Sequence, residues 1–270
     1  MRHPFFDLPT PIVIGHRGSS GEAPENTLPA FARALEQGAA VLETDVHATR
    51  DGVVVVYHDE SVDRTTDGAG AIADLDFAEL RELDAGWAFT PDGGRTFPWR
   101  GRGVRVATLA EAFAAFPAAR FNVEIKRDDE ALVEGTLDAV RGAGRADRTL
   151  LTAGHDGAMA RLRRRLAETG LATAVGASAG DVVGFVRAAA SGAPPPPEPM
   201  ALQIPTRFAE RPLVTRELVA FAHAHGVHVH VWTVNEPAEM HALLDLGVDG
   251  LVTDHPARMH AVLRERGARR

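Results

Sequence analysis

The segment PIVIGHRGSSGEAPENTLPAFARALEQGAAVLETDV, residues 11–46, contains two short apolar runs separated by a helical pattern. The runs at 11–16 and 41–46 have the length and composition of buried strands. Between them, Thr27 has a side chain that can cap a helix, and apolar residues recur at helical spacing from 28 to 37. The order strand, helix, strand predicts a βαβ unit with two parallel strands.

The same alternation continues along the rest of the chain. We predict eight strands, at residues 11–16, 41–46, 120–126, 149–153, 171–176, 201–204, 227–233 and 250–253. We predict helices after them, at residues 28–37, 108–116, 129–142, 156–169, 180–191, 214–225, 237–246 and 256–266. Eight strands, each followed by a helix, predict an α/β protein with a closed (β/α)8 TIM barrel. An open, doubly wound sheet is the alternative architecture.

One connection is much longer than the others. Residues 47–107, about sixty in number, separate the second strand from its helix, whereas a compact barrel needs only a few. The connection begins with a hairpin arm at 53–59 and continues through a Gly-rich stretch that carries several aromatic residues. We interpret residues 60–106, approximately, as an insertion on the catalytic face of a single domain that spans residues 1–270.

The composition limits the classes of function. The chain has no cysteine, which excludes disulfides and thiolate metal sites. Its formal net charge of −8 argues against nucleic-acid binding, because such binding requires positive charge against the phosphates. No run approaches the roughly 20 apolar residues that span a bilayer, and the N-terminus lacks a signal-peptide pattern. We therefore expect a cytoplasmic protein without stable membrane insertion; the sequence indicates no oligomeric state.

Carboxylates mark the C-terminal ends of two predicted strands. Residues two apart in a strand face the same side, so Glu43 and Asp45 project together from the second strand. Glu124 and Lys126 do the same on the third. Three carboxylates in one volume repel one another, and a divalent cation with oxygen ligands, Mg²⁺ or Ca²⁺, relieves that repulsion. The alternative is a set of salt bridges in which Lys126 and Arg17 neutralise the acids.

Two histidines lie beside these acidic positions. His16 ends the first strand, and His58 follows the hairpin arm. A single histidine is usually a structural residue, but two at strand exits next to an acidic cluster favour a catalytic role. Because imidazole titrates near neutral pH, one histidine can accept a proton while the other donates one.

Five ordered motifs resemble those of the glycerophosphodiester phosphodiesterase family. They are HRGSSGEAPENT at 16–27, ETDVHATRDGVVVVYHD at 43–59, NVEIK at 122–126, VWTVN at 231–235 and GVDGLVTDHP at 247–256. The resemblance spans nearly the whole chain and includes the long insertion. It implies a (β/α)8 barrel that hydrolyses a small-molecule glycerophosphodiester to glycerol 3-phosphate and an alcohol with a divalent metal, as part of lipid and glycerol metabolism.

The resemblance also implies roles for individual residues. By matching position they are Glu43, Asp45 and Glu124 as metal ligands, His16 and His58 as the acid/base pair, Arg17 and Lys126 as phosphate contacts, and Trp232 as a wall of the substrate site. One departure follows the fourth strand, where AGHD at 153–156 replaces the family's usual Ser-Phe pair. This departure concerns the shape of the leaving-group pocket.

Four further polar residues have less specific patterns. Glu25 and Asn26 either shape the first turn or take part in the site. His47 shares a face with the acids of the second strand, which indicates a supporting role. Asp254 follows the eighth strand, and we interpret it as the end of that strand.

Two other functions are compatible with parts of the sequence. One is a related lyase-like phosphodiesterase that acts on phospholipid-type substrates; such proteins are usually secreted, and the toxins among them have disulfides, which this chain cannot form. The other is a non-catalytic barrel that binds phosphodiesters. We would expect such a barrel to lack at least one of the two histidines or three acids, and all five are present.

Overall fold

The computed structural model describes residues 3–268; residues 1–2 and 269–270, the ends of the predicted domain, lie outside this range. The described strands are β1 (Ile12–Gly15), β2 (Val41–Ala48), β3 (Val54–Val56), β4 (Arg120–Ile125), β5 (Thr149–Thr152), β6 (Ala174–Val175), β7 (Ala201–Pro205), β8 (Arg207–Phe208), β9 (Arg211–Pro212), β10 (His228–Trp232) and β11 (Gly250–Thr253). All eight predicted strands are confirmed. The run predicted at 171–176 was too long, because the chain is still leaving a helix that ends at the left-handed Gly170.

The eight parallel strands form a nearly closed barrel. They are hydrogen-bonded in the order β6, β5, β4, β2, β1, β11, β10, β7. The two ends of this row meet where Gly176, next to β6, forms a parallel bridge with Ala201 of β7. The amide of Met200 also donates to the carbonyl of Val175 at 2.9 Å. The predicted barrel is therefore confirmed, and the open doubly wound sheet is wrong.

The helices cover the outside of the barrel. They are α1 (Leu28–Glu36), α3 (Leu109–Ala115), α4 (Glu130–Gly142), α5 (Asp156–Thr169), α6 (Ala179–Ser191), α7 (Arg216–Ala224), α8 (Pro237–Leu246) and α9 (Pro256–Ala268), while α2 (Phe77–Glu82) lies in the insertion. Each predicted helix is confirmed to within two residues at either end. At the start of α1 the Thr27 hydroxyl accepts from the amide of Ala30, as its capping role requires. Within residues 3–268, no helix has the length and apolar character needed to cross a bilayer.

Two apolar layers hold the barrel together. The outward faces of the strands pack against the helices, as Phe121 and Val123 of β4 do. The inward faces form a smaller core near the N-terminal ends of the strands, and Phe5 and Phe6 fill it from the preceding segment. The ring of Phe6 lies 4.5 Å from that of His228, at the start of β10. The N-terminal end of the barrel is thus plugged, and the opposite end is left for a site.

The insertion has more internal structure than the sequence indicated. β3 pairs antiparallel with β2, which confirms the predicted hairpin arm. A 3-10 turn at Ile72–Asp74 and the short helix α2 follow within the insertion. Side chains of these elements and of the neighbouring chain form a separate core cluster that includes Tyr57, Val62 and Leu80. The insertion therefore packs on the hairpin arm through its own apolar contacts.

Replacing Phe6 with Ala should destabilise the barrel without changing its chemistry. The side chain is 2% exposed, so its removal leaves a cavity that costs about 3–5 kcal/mol of unfolding free energy. Denaturant unfolding measures this loss, and turnover should stay unchanged in the folded fraction. The matched control is Phe208→Ala, because Phe208 is 71% exposed. Equal destabilisation by the two substitutions would contradict the conclusion that Phe6 fills the N-terminal end of the barrel.

Candidate active site

Three carboxylates meet inside the barrel near the C-terminal ends of its strands. Glu43 and Asp45 lie two residues apart on β2, so both face the interior. Glu124 lies on β4, in register with Asp45. One carboxylate oxygen from each residue lies within 4.8 Å of the other two. The structure thus brings together the three acids that the sequence analysis singled out.

Two basic residues contact this cluster. The Nζ atom of Lys126 lies 2.9 Å from Oδ1 of Asp45 and 3.0 Å from Oε2 of Glu124. The backbone amide of Arg17 donates to Oε2 of Glu43 at 2.9 Å, and its Nε lies 3.4 Å from Oδ2 of Asp45. The backbone of Arg17 is left-handed, with φ of +51°, a strained conformation for a non-glycine residue. The salt bridges that were the alternative to a metal site are therefore present.

These salt bridges do not fully compensate the acids. Burial and the charge of Asp45 raise the pKa of Glu43 to about 7. Burial alone would also raise the pKa of Asp45, but the charges of Lys126 and Arg17 hold it below its usual value. Two cations thus face three carboxylates, and the negative charge that they leave uncompensated makes ionisation of Glu43 unfavourable.

The donor set fits a hard divalent cation. Mg²⁺ and Ca²⁺ bind oxygen ligands at about 2.0–2.6 Å, so oxygens around one such ion lie at most about 4–5 Å apart. The 4.8 Å limit on the carboxylate separations meets that condition. The buried, undercompensated Glu43 supplies the reason for an additional positive charge at this position. Glu43, Asp45 and Glu124 could therefore hold a divalent ion, whose identity the donor set does not distinguish.

His16 is fixed by a carboxylate from the last strand. Its Nδ1 atom lies 2.6 Å from Oδ1 of Asp254. Burial lowers the pKa of His16, but the hydrogen bond to Asp254 and the charge of Glu43 outweigh burial, so the net shift is upward. The Asp254 carboxylate also accepts from the Ser20 hydroxyl at 2.7 Å and from Nδ2 of Asn235 at 2.6 Å. These contacts fix both the position and the ring orientation of His16.

His58 is fixed in the same manner by a different acid. Its Nδ1 atom lies 2.6 Å from Oδ1 of Asp59, the next residue in the chain. Burial alone would raise the pKa of Asp59, but hydrogen bonds from Arg64 and His58 lower it to about 2. His47 donates from Nε2 to the backbone carbonyl of His58 at 3.0 Å. His47 thus has the supporting role that the sequence indicated, although it supports His58 and not the carboxylates.

The two histidines therefore share one arrangement. In each ring Nδ1–H donates to a carboxylate, which leaves Nε2 as the atom that can exchange a proton with a substrate. The charge of Glu43 raises the pKa of His16, and His58 contributes to lowering the pKa of Asp45. Two oriented imidazoles flanking a carboxylate cluster can carry out general acid–base chemistry on one bound group.

The first turn also contributes to the site. The Nδ2 atom of Asn26 donates to Oδ2 of Asp45 at 3.0 Å, and its Oδ1 accepts from the hydroxyl of Thr44 at 2.7 Å. Oε1 of Glu25 accepts from the guanidinium of Arg17 at 2.8 Å. The sequence left open whether Glu25 and Asn26 shape the first turn or take part in the site. They do both, because they lie in the turn and hydrogen-bond to Arg17 and Asp45.

Trp232 and the AGHD segment lie at the mouth of the barrel. Trp232 ends β10 in register with Pro205 and is 44% exposed. β11 and β1 lie between its strand and β2, so it stands across the mouth from the acids of β2. Gly154 of the AGHD segment lies close to Glu124. If residue 154 carried a side chain, its Cβ atom would lie 3.4 Å from Oε1 of Glu124. The departure from the family pattern therefore lies directly beside the carboxylate cluster.

Asp254 was underestimated by the sequence analysis. Asp254 does follow the last residue of β11, but its carboxylate also fixes His16, which lies 238 residues away in the chain. A signal was available: in a closed barrel the last strand pairs with the first, so the residues that leave β11 and β1 are neighbours. Asp59 and Arg64 were also missed as site residues, and the folding of the insertion brings them together.

Comparisons of sequence place these features in one family of proteins. The sequence model of the glycerophosphoryl diester phosphodiesterase family matches residues 16–258. A glycerophosphodiester phosphodiesterase from Caldanaerobacter subterraneus is 31% identical over 264 residues, which cover 95% of this chain and 99% of that protein. A human lysophospholipase D is 28% identical and covers 93% of this chain and 86% of its own length. The family match thus spans the barrel and the insertion.

A solved structure shows the same fold. The phosphodiesterase from Oleispira antarctica, in complex with the product sn-glycerol-3-phosphate, superposes with a TM-score of 0.76 at 27% sequence identity. The match covers 94% of this chain and 97% of the other.

Replacing Asp254 with Asn should lower the pKa of His16, because the substitution removes the charge that stabilises the imidazolium. The midpoint of the His16 titration, followed by NMR, should move to lower pH. Since the pKa of His16 is raised in the folded protein, the stabilisation from this pair is present at low pH and is lost as the pH rises through that pKa. The stability advantage of wild type over D254N should shrink over the same range.

The control for this experiment is Asp249→Asn, which removes the partner of His223 before β11. This substitution should leave the midpoint of the His16 titration unchanged. An unchanged His16 midpoint in D254N would contradict the electrostatic role of Asp254.

Proposed function

The chain belongs to the glycerophosphoryl diester phosphodiesterase family, and from that premise we propose that it hydrolyses glycerophosphodiesters to glycerol 3-phosphate and an alcohol. The observation that supports this proposal most strongly is the placement of two carboxylate-fixed histidines beside three converging acids at the barrel mouth. The Oleispira antarctica relative, which binds sn-glycerol-3-phosphate, gives further support.

Glu43, Asp45 and Glu124 would hold the divalent metal ion of this reaction. When bound, such an ion neutralises charge that develops on the phosphoryl oxygens. Arg17 and Lys126 flank the acids and would bind the phosphodiester, Arg17 through a planar fork and Lys126 as a point charge. The charges of such a complex cancel, since one divalent ion and two basic side chains balance three carboxylates and one phosphodiester.

The histidines would move the two protons of the reaction. The raised pKa of His16 suits it to donate a proton to the departing alcohol oxygen. His58 would accept the proton of the nucleophile, which is either water or the hydroxyl next to the phosphate ester. Attack by water gives glycerol 3-phosphate directly, whereas attack by the hydroxyl gives a cyclic phosphate that a water molecule then opens, with the two histidines in exchanged roles. Trp232 would form a wall of the pocket on the far side of the mouth.

A second candidate substrate is a phospholipid-type phosphodiester. Human lysophospholipase D is a relative of the chain, and two exposed aromatic residues lie over neighbouring strands, Trp232 on β10 and Phe208 just beyond β7. These residues suit an apolar alcohol. The presence of both histidines and all three acids argues against a non-catalytic barrel. A cytoplasmic location, a role in lipid and glycerol metabolism and the absence of nucleic-acid binding stay predictions.

Metal removal tests the proposed function. Purified protein should release glycerol 3-phosphate from at least one member of a panel of glycerophosphodiesters, as followed by ³¹P NMR. Chelation should abolish the release, and Mg²⁺ or Ca²⁺ should restore it. Glu124→Gln should lose metal and activity, whereas Glu36→Gln should keep both, because Glu36 lies on the exposed face of α1. Full activity in protein shown to be metal-free would refute the metal dependence.

Replacing either histidine tests the acid–base assignment. His16→Ala and His58→Ala should each lower kcat by roughly 10²–10⁴-fold, the usual contribution of a general acid or base. Melting temperature and metal content should barely change. His223→Ala is the matched control, since His223 also pairs with an aspartate, Asp249, but at the N-terminal end of the barrel. Near-normal turnover in H16A or H58A would show that the role has been misassigned.

A further inference from the structure

Arg64 of the insertion contacts two acids, Asp59 and Glu25. Asp59 also contacts His58, and Glu25 also contacts Arg17. The Nε atom of Arg64 donates to Oδ2 of Asp59 at 2.5 Å. Its two terminal nitrogens donate to the two oxygens of Glu25, at 2.8 and 2.6 Å. A guanidinium is planar and rigid, so these three bonds fix the positions of both carboxylates relative to each other.

On one side, Asp59 passes this constraint to His58. Oδ1 of Asp59 receives Nδ1–H of His58 at 2.6 Å, while Oδ2 is held by Arg64. His58 and Asp59 are consecutive residues in a bend outside any strand. Regular secondary structure therefore does not fix the aspartate, and the bond from Arg64 supplies the missing restraint.

On the other side, Glu25 passes the constraint to Arg17. Oε1 of Glu25 accepts from Arg17 at 2.8 Å and from Arg64 at 2.6 Å. Arg17 in turn lies 3.4 Å from Asp45, and its amide binds Glu43. Without Arg64, the full charge of Glu25 would act on the guanidinium of Arg17 and compete with a phosphate for it.

We propose that Arg64 is a positioning residue that sets the orientation of His58 and the availability of Arg17 together. This inference rests on the proposed function, which makes His58 an acid–base group and Arg17 a phosphate contact. The side chain of Arg64 is 49% exposed, and ion pairs in such positions contribute little to global stability. Its effect is therefore on the geometry of the site. It also gives the insertion a part in positioning the residues of the site.

Arg64→Gln tests the proposal against a closely matched control. In R64Q, kcat should fall and KM should rise, with kcat/KM lower by about 10–100-fold, as for other partners that orient a functional side chain. The control is Arg50→Gln. Arg50 is 53% exposed, bridges Asp76 and Glu79 in the same part of the molecule, and lies away from the site. Its replacement should leave both kinetic constants unchanged.

Single replacements of the two acids separate the two effects. Asp59→Asn should act mainly on kcat through His58, and Glu25→Gln mainly on KM through Arg17. Arg64→Lys keeps the charge but not the three-bond fork, so its kinetic constants should fall between those of wild type and R64Q. In the double variant D59N/R64Q the losses should be less than additive, because both substitutions break one connection.

A readout that does not depend on turnover completes the test. In ¹⁵N NMR of the histidine side chains, R64Q should shift the Nδ1–H signal of His58, while that of His16, held by Asp254, stays in place. Kinetic constants of R64Q equal to those of R50Q, with an active wild type, would overturn the inference. If wild type cleaves no glycerophosphodiester, the proposed function fails, and an unmoved His58 signal in R64Q would still overturn the positioning role.

Discussion

The repulsion among three converging carboxylates, two of them buried, is the constraint on which the rest of this structure depends. Glu43, Asp45 and Glu124 bring oxygens within 4.8 Å of one another inside the barrel. Burial makes each uncompensated charge costly, so every nearby polar group acts to offset it. Arg17 and Lys126 supply positive charge, and a divalent cation could offset the remaining negative charge. The same groups then suit a phosphodiester, whose charge they are placed to balance.

Orientation is achieved by a second set of carboxylates outside this cluster. Asp254 and Asp59 each receive Nδ1–H of one histidine at 2.6 Å. The two acids differ in how they are held: neutral donors, Ser20 and Asn235, bind Asp254, whereas the charged Arg64 binds Asp59. The pKa of His16 is raised by its hydrogen bond to Asp254 and by the charge of Glu43.

The regular part of the fold was predictable because each element has its own periodic signal. The helix at α1 has a Thr27 cap and a complete apolar face, and it was predicted to within one residue. The short elements were missed. α2 has only six residues, and the hairpin formed by β8 and β9 has strands of two residues each. Such lengths contain too few repeats of either period to stand out from a loop.

The sequence by itself determined which acidic, basic and imidazole side chains are available to the site and which faces of the strands carry them. Glu43 and Asp45 share a face because strand side chains alternate with a period of two, which any strand at that position imposes. Tertiary structure alone decided the partners of the histidines and the role of Arg64. His16 meets Asp254 because barrel closure joins the first strand to the last. Arg64 meets Glu25 across 39 residues because the insertion folds back onto the first turn. Contacts of this kind depend on how distant segments pack, and no local pattern of residues specifies that packing.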